Sequence, residues 1–179
     1  PPAEVTVETL TPRDVTAYYT YAGRTAASAS VELRARVTGF LESVDFEPGN
    51  AVKKDDLLFR IDPKPFEAAV AAAEGKLANA QASLQLAIAT LQKNEQLFQK
   101  KVISEIDILR YRAEQDAAVA GVKMAEAELE AARLDLSYTT IRAPVDGVMS
   151  RNLVDPGNLV GAGEMTLLSS IVNDDPIYL

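Results

Sequence analysis

The chain contains no cysteine and no histidine, and these absences exclude much catalytic and metal-binding chemistry. Without cysteine there is no disulfide and no thiolate nucleophile. Without histidine the chain lacks the commonest general base and the commonest transition-metal ligand. The carboxylates are numerous, but none is spaced with a nucleophile or base in a catalytic motif. We therefore expect no cofactor, no metal site and no enzymatic activity.

Aromatic residues and long apolar runs are also scarce. Tryptophan is absent and aromatics make up only 6% of the chain, which favours thin modules over a thick globular core. No apolar run approaches the roughly 20 residues that a membrane-spanning helix needs. The formal net charge of −8 and the lack of a basic stripe argue against nucleic-acid binding. The opening Pro1-Pro2 and the closing residues 176–179, which resemble the start of a strand, are typical of a piece of a longer protein.

An internal repeat with an offset of 108 residues is the most informative pattern that is present. Residues 34–39 (RARVTG) match residues 142–147 (RAPVDG), and residues 47–50 (EPGN) match residues 155–158 (DPGN). The Pro-Gly pair of each four-residue segment specifies a type II turn, because proline presets φ and glycine accepts a positive φ. Each half is expected to form a small β-unit with one apolar face, and the two halves to pack together as a flattened sandwich.

Strands are predicted on both sides of these turns. Alternate residues from Val31 to Val37 are apolar, which is the period of a half-buried strand. Residues 57–61 and 165–168 are predicted as the strands that follow the two turns. Residues 5–7 and 17–21 are also predicted as strands.

A long segment rich in helix-forming residues separates the two halves. Asp62-Pro63 precedes it as a plausible N-cap and first-turn pair. The apolar residues of the first helix alternate steps of four and three, which is the period of a coiled coil. This predicted seam consists of Phe66, Val70, Ala73, Leu77, Ala80, Leu84, Ala87, Leu91, Asn94 and Phe98.

A second helix is predicted after a short turn at Val102 and Ile103. Ser104 with Asp107 resembles a capping box. Two helices joined by so short a turn must be antiparallel. The predicted seam of the second helix is rich in alanine and nearly heptad-spaced, and consists of Ile106, Leu109, Ala113, Ala117, Ala120, Met124, Ala127, Ala131 and Leu134.

The order of β-half, long helical hairpin and matching β-half resembles the periplasmic adaptor (membrane fusion protein) family of resistance–nodulation–division multidrug efflux pumps. The segments that carry the resemblance are RVTG at 36–39, FEPG at 46–49, RIDP at 60–63, IS at 103–104, ARLDLSYT at 132–139, IRAPVDG at 141–147 and DPIY at 175–178.

The resemblance implies an elongated, multi-module chain of mixed α and β structure. A lipoyl-like β-sandwich would be interrupted by a long antiparallel coiled-coil hairpin, with partial β-barrel strands at the ends. We expect the barrel-sandwich module at 31–62 and 138–171 and the hairpin at 63–137. Residues 1–30 and 172–179 would supply partial β-barrel or membrane-proximal strands.

The resemblance also implies a function and partners. Such adaptors lie in the periplasm of Gram-negative bacteria, associated with the inner membrane, and bridge an inner-membrane efflux transporter to an outer-membrane channel. They self-associate into a ring, a hexamer or a trimer of dimers, and touch the channel with their hairpin tips. An N-terminal lipid anchor, where there is one, would lie outside this chain.

The family's tip signature is arginine, leucine four residues later and serine seven after that, and it falls on Lys93, Leu97 and Ser104. Lysine keeps the charge of arginine but loses its bidentate fork. Val102 and Ile103 join the candidate channel-binding residues, because clustered exposed apolar groups mark partner sites. Each position also has an ordinary explanation, since a solvated lysine, a leucine packed beside the seam and a serine N-cap need no partner.

Other functions fit parts of the pattern. An adaptor of a type I secretion system or of an ATP-driven macrolide-type transporter would share the fold, although the hairpin length favours the resistance–nodulation–division type. A lipoyl or biotinyl carrier would share the sandwich, but the hairpin occupies the place of its modified lysine. A metal-efflux adaptor is disfavoured because histidine is absent and Met124, Met149 and Met165 lie on separate elements.

Overall fold

Two long helices separate two groups of short strands in the computed structural model. It describes residues 1–9, 12, 14–16, 18–20, 22, 26–162 and 165–178, with side chains except at 26, 28 and 174–178. In chain order the elements are β1 (Ala26–Arg34), β2 (Gly39–Val44), β3 (Ala51–Val52), β4 (Leu57–Ile61), α1 (Lys64–Gln99), α2 (Glu105–Ser137), β5 (Thr140–Arg142), β6 (Gly147–Met149), β7 (Leu159–Val160) and β8 (Leu167–Tyr178).

The strands of the described residues form two four-stranded sheets, ordered β1-β8-β6-β3 and β5-β4-β2-β7. The repeat relates the two sheets, because β1, β8, β6 and β3 of one correspond to β5, β4, β2 and β7 of the other. The offset of 108 residues carries β3 directly onto β7. Each sheet therefore contains strands from both halves of the chain, and the predicted sandwich of two interdependent halves is confirmed.

Hydrogen bonds across the halves repeat with the same offset. The N–H of Leu41 donates to the carbonyl of Asn158 at 2.9 Å, and the N–H of Met149 donates to the carbonyl of Asn50 at 3.0 Å. Leu41 corresponds to Met149 and Asn50 to Asn158, so each half donates the same hydrogen bond to the other half. This symmetry explains why neither half can satisfy its own backbone alone.

Both predicted turns are confirmed. Gly49 and Gly157 have φ of 86° and 92°, in the left-handed region that glycine adopts without strain. In each turn the residue after the glycine donates its N–H to the carbonyl two residues before the glycine, at 3.1 and 3.2 Å.

The core lies between the two sheets. Leu58, Phe59, Ile61, Val160 and Leu168 have no exposed surface. The predicted alternation before the first turn is confirmed, because the apolar positions from 31 to 37 face inward while the positions between them are exposed. Every buried side-chain nitrogen or oxygen of the described residues has a hydrogen-bond partner, as a packed core requires.

Some strand predictions are wrong, either at one end or as a whole. β4 coincides with the predicted 57–61, but β8 begins at Leu167, so Met165 and Thr166 lie outside it. Residues 5–7 and 18–20 are exposed and lie in no strand, because none of the described residues offers them a ladder partner. Ala17, Tyr21 and Leu179, which belonged to predicted strands, fall outside the described residues.

β1 and β8 remain paired past the point where the pairing of β8 with β6 ends. Their antiparallel register runs from Arg34 opposite Leu167 to Ala26 opposite Tyr178. It shifts between Ala27 and Ala29, and again between Leu33 and Arg34. Such irregularities bend a strand pair and increase its twist.

The hairpin leaves the sandwich after β4 and returns to it at β5. At its start the carboxylate of Asp62 accepts a hydrogen bond from the N–H of Lys64 at 3.1 Å, and Pro63 already has helical dihedral angles. The predicted pair therefore begins the helix, with the first regular residue one position later than Pro63.

Candidate functional site

The seam predicted for α1 is confirmed at nine of its ten positions. Ala73 and Leu91 are buried and seven others are partly buried, but Phe98, the last one, is exposed at 39%. The alternation of four and three steps keeps one stripe of the helix turned toward its partner over the whole length.

The seam predicted for α2 is wrong. The residues that face α1 are buried or partly buried and consist of Ile108, Tyr111, Gln115, Ala118, Val122, Ala125, Leu129, Ala132 and Leu136. Their steps alternate three and four without a break, whereas the predicted set needed two successive steps of four. Antiparallel packing of two heptad helices favours the unbroken stripe, because a break would turn the seam away from the partner.

Every residue of the seam predicted for α2 is exposed and forms a second apolar line along the helix. We call this line the outer stripe, and it comprises Ile106, Leu109, Ala113, Ala117, Ala120, Met124, Ala127, Ala131 and Leu134. Ile106 is 79% exposed and Met124 is 65% exposed. An apolar line of this length with nothing covering it within the described residues is typical of a protein–protein contact.

Ion pairs tie the two helices at three levels beside the seam. Nearest the sandwich, Glu74 pairs with Arg133 at 3.0 Å, and Lys76 pairs with Glu128 at 2.8 Å. Toward the tip, Glu95 pairs with Arg112 at 3.4 Å. All six side chains are about half exposed, so each pair fixes the relative level of the helices more than it stabilises them.

The turn at the tip is closed by backbone hydrogen bonds. The N–H of Val102 donates to the carbonyl of Leu97 at 3.0 Å, and the N–H of Lys101 donates to that of Phe98 at 2.8 Å. This is a Schellman motif, and Lys101 occupies its left-handed position with φ of 58°. Lysine stands where glycine is usual, at a cost in backbone strain.

The capping box predicted at the start of α2 is confirmed. The hydroxyl of Ser104 donates to the carboxylate of Asp107 at 2.7 Å and accepts from the backbone N–H of Asp107 at 3.2 Å. The backbone N–H of Ser104 also donates to that carboxylate at 3.2 Å. These bonds to the charged form hold the pKa of Asp107 below its usual range, helped by nearby Arg110 and opposed by a small loss of hydration.

The structure brings four of the five predicted tip residues together. Leu97 is partly buried and hydrogen-bonded to Val102, which is 66% exposed, and Ile103 and Ser104 follow directly. Ile103 is partly buried, contrary to the expectation that a free tip leaves it uncovered. Lys93 is exposed one helical turn before Leu97, with no ion-pair partner among the described residues.

Ile106 and Leu109 are surface residues near the tip that sequence reasoning missed. They are 79% and 55% exposed, and they extend the apolar surface of Val102 into the first turns of α2. The broken spacing of the predicted seam was the signal that could have placed them outside.

Among the described residues there is no group of three or more carboxylates placed to hold a metal ion. None of the helices in this described part of the chain has the length and apolarity needed to cross a membrane.

Comparison with known proteins agrees with this geometry. The sequence model of the family described as "RND MFP, barrel-sandwich hybrid domain" matches residues 29–172. The chain is 39% identical to the efflux pump periplasmic linker BepD of Brucella suis over 180 residues, covering all of this chain and 45% of the relative. It is 35% identical to the multidrug resistance protein MdtA of Klebsiella pneumoniae over 175 residues, covering 98% of this chain and 42% of the relative. The chain thus spans less than half the length of these relatives, whose names describe no enzyme.

A solved structure shares the fold. The crystal structure of a MacA–MexA chimera containing the Pseudomonas aeruginosa MexA α-hairpin domain superposes with a TM-score of 0.62 at 26% identity, covering 83% of this chain and 48% of that chain. The fold class expected from the sequence is confirmed, as is the resemblance on which it depended. The chain belongs to the RND membrane fusion protein family and carries that family's barrel-sandwich hybrid domain.

Proposed function

We propose that this chain is the central part of a periplasmic adaptor in a tripartite drug efflux pump. The whole protein would bridge an inner-membrane transporter to an outer-membrane channel, with the hairpin tip docking on the channel. It would lie in the periplasm of a Gram-negative bacterium, associated with the inner membrane. Within it we propose the sandwich module at 31–62 and 138–171, the hairpin at 63–137, and part of a barrel or membrane-proximal module at 1–30 and 172–179.

The length of the hairpin supports a role in spanning the distance to a partner protein. The 36 residues of α1 give a rod of roughly 54 Å at 1.5 Å per residue. A two-helix rod buries a single seam, so its length adds little to the stability of the sandwich. The match to the RND family model favours this kind of pump over a type I secretion or ATP-driven macrolide-type transporter.

One observation carries the docking proposal, namely an exposed apolar surface on a rigid tip. Val102 is 66% exposed within a turn whose backbone is fixed by the Schellman motif and the capping box. A site held rigid before binding loses little conformational entropy when the partner arrives. We propose Lys93, Leu97, Val102, Ile103 and Ser104 as the channel-binding residues.

The outer stripe supports self-association of the hairpins side by side. Its alanines would allow the helix of a second copy to approach closely. α1 offers a matching exposed surface of small residues at Ala72, Gly75, Ala82 and Ala89. We propose that neighbouring copies pack in this way into a ring, a hexamer or a trimer of dimers.

Val102→Glu in the full-length protein tests the docking proposal. The change places a charge on an exposed side chain, so the protein should fold and reach wild-type levels while drug efflux falls at least several-fold. Leu153→Glu is the matched control, because Leu153 is a 49% exposed apolar residue of the sandwich. Efflux would be measured as drug susceptibility in a strain that lacks the gene.

Photocrosslinking separates loss of docking from loss of folding. A photoreactive amino acid at position 102 should crosslink to the outer-membrane channel, whereas one at position 153 should not. Wild-type efflux by Val102→Glu, together with no crosslink from position 102, would show that the tip does not dock on the channel.

A further inference from the structure

An arginine-rich cleft opens at one edge of the sandwich, on β1 and β5. These are the end strands of the two sheets, so the cleft lies between one free edge of each. Its volume is about 320 Å³, at the lower end of the range for small-molecule sites. We call it the edge cleft, and its lining residues come from 31–36 and 138–144.

The repeat places two of the arginines symmetrically. Arg34 on β1 and Arg142 on β5 are repeat equivalents, and both line the edge cleft. One guanidinium nitrogen of Arg34 donates to the carbonyl of Met165 at 2.9 Å, and one of Arg142 donates to the carbonyl of Asp55 at 2.8 Å. These bonds to neutral carbonyls hold both side chains in position, and they leave the charge of Arg142 uncompensated, whereas Arg34 also pairs with Glu32.

Arg36 adds a third cation to the edge cleft, and most of the hydrogen-bonding capacity of its guanidinium group is unused. Its guanidinium carbon lies 5.1 Å from the centre of the Tyr138 ring, which positions the group by a cation–π contact. Within the described residues Arg36 makes no ion pair, and neither does Arg142. The hairpin differs, because Arg110, Arg112 and Arg133 each pair with a glutamate.

The edge cleft therefore concentrates positive charge on a strongly acidic chain. One carboxylate, that of Glu32, lines it and pairs with Arg34 at 2.8 Å, which leaves two arginines without a counter-charge. Val31 and Ile141 are partly buried and provide an apolar floor. Positive groups over an apolar floor favour a ligand that has a negative head and an apolar body.

We propose that the edge cleft binds a small amphipathic organic anion, with its carboxylate, sulfonate or phosphate between Arg36 and Arg142. Guanidinium forks match the oxygens of such heads bidentately. The apolar body would lie on Val31 and Ile141. This site is separate from the hairpin tip, so it does not depend on docking to a channel.

Fluorescence titration of the full chain with 8-anilino-1-naphthalenesulfonate tests the site. N-phenyl-1-naphthylamine is the matched neutral probe, since it has the same rings without the sulfonate. We expect the sulfonate to bind saturably at one site per chain, at least ten-fold more tightly than the neutral probe, and more weakly as salt is added.

Substitutions locate the binding. Arg36→Gln and Arg142→Gln should each weaken the sulfonate about ten-fold, as the loss of one charge-assisted contact predicts. Arg112→Gln on the hairpin is the control for a change in total charge and should bind as wild type. Circular dichroism would establish that each variant is folded, and Arg142→Lys would replace Arg142→Gln if the latter unfolds.

Amide chemical shifts decide between the edge cleft and the outer stripe, which could also bind an apolar dye. The proposal expects shifts at residues 34–36 and 140–142 on addition of the sulfonate. It is overturned if the shifts map to the outer stripe, if Arg36→Gln with Arg142→Gln binds as wild type, or if no saturable binding occurs.

Discussion

Gly147 lies so close to Ile171 that a methyl group on the glycine would be 2.6 Å from Cγ2 of the isoleucine. The same methyl group would be 2.8 Å from the carbonyl oxygen of Val172. Gly147 ends the RAPVDG segment of the second half, and Gly39, which ends the matching RARVTG segment of the first half, is crowded in the same way against Ile61 at 2.6 Å. The repeat therefore keeps a glycine where two strands of the same half pack tightly against each other.

Gly147→Ala should destabilise the sandwich by about 1–3 kcal/mol, because the backbone contact to Val172 cannot yield without disturbing the β6–β8 ladder. Gly75→Ala on α1 is the matched control, since nothing lies within 4 Å of the added methyl group. That change should stabilise the helix by about 1 kcal/mol. Urea unfolding of both variants measures the two effects. Equal effects of the same sign would contradict the packing of Gly147.

The sandwich was predictable from sequence because local chemistry determines its turns. Gly49 and Gly157 need a positive φ and Gly39 and Gly147 need close approach, so the residues that mark the repeat also fix its geometry. The pairing of strands between the halves followed, since neither half could cover its apolar face alone.

The seam of α2 was not predictable in the same way. α2 carries two apolar lines, and the outer stripe holds Ile106, Leu109 and Met124, while the true seam includes the more polar Tyr111 and Gln115. Hydrophobicity favoured the outer stripe, and the regularity of the spacing favoured the true seam. Packing against α1 decides between them, because the stripe must stay continuous along the partner.

Substitution of two leucines of α2 tests which of its two apolar lines packs against α1. Leu129 is 6% exposed in the seam and Leu134 is 50% exposed on the outer stripe. Leu129→Ala should cost about 2–3 kcal/mol through lost contacts and a residual cavity, whereas Leu134→Ala should change stability by less than about 0.5 kcal/mol. Thermal unfolding at a concentration where the chain is monomeric compares them, and a larger loss for Leu134→Ala would restore the seam predicted from sequence.

The capping box makes the start of α2 sensitive to acid. Since hydrogen bonds from Ser104 lower the pKa of folded Asp107, the carboxylate stabilises the fold above the pKa of the unfolded chain. That contribution is lost as the pH falls through the lowered pKa, below about pH 4. Asp107→Asn should therefore remove part of the dependence of stability on pH between about 2 and 5, which unfolding curves at several pH values would measure.

Ser104→Ala tests the contribution of the Ser104 hydroxyl separately from that of the Asp107 charge. The variant should raise the pKa of Asp107 toward its usual range and should cost about 1 kcal/mol as a lost N-cap. NMR titration of the Asp107 carboxyl carbon follows the first effect. An unchanged pKa in this variant would mean that Ser104 is not its main cause.

Replacing Lys101 in the tip turn with glycine should stabilise the protein. Lys101 has a φ of 58°, a conformation that costs a residue with a Cβ roughly 1 kcal/mol and costs glycine almost nothing. Lys101→Gly should therefore raise the free energy of unfolding by several tenths of a kcal/mol to about 1 kcal/mol, after the greater freedom of glycine in the unfolded chain is subtracted. Lys100→Gly is the matched control, because it removes the same charge at a φ of −82°, where glycine has no advantage. Urea unfolding of the two variants should give shifts of opposite sign, and a loss of stability in Lys101→Gly would mean that the lysine side chain, and not its backbone, determines the turn.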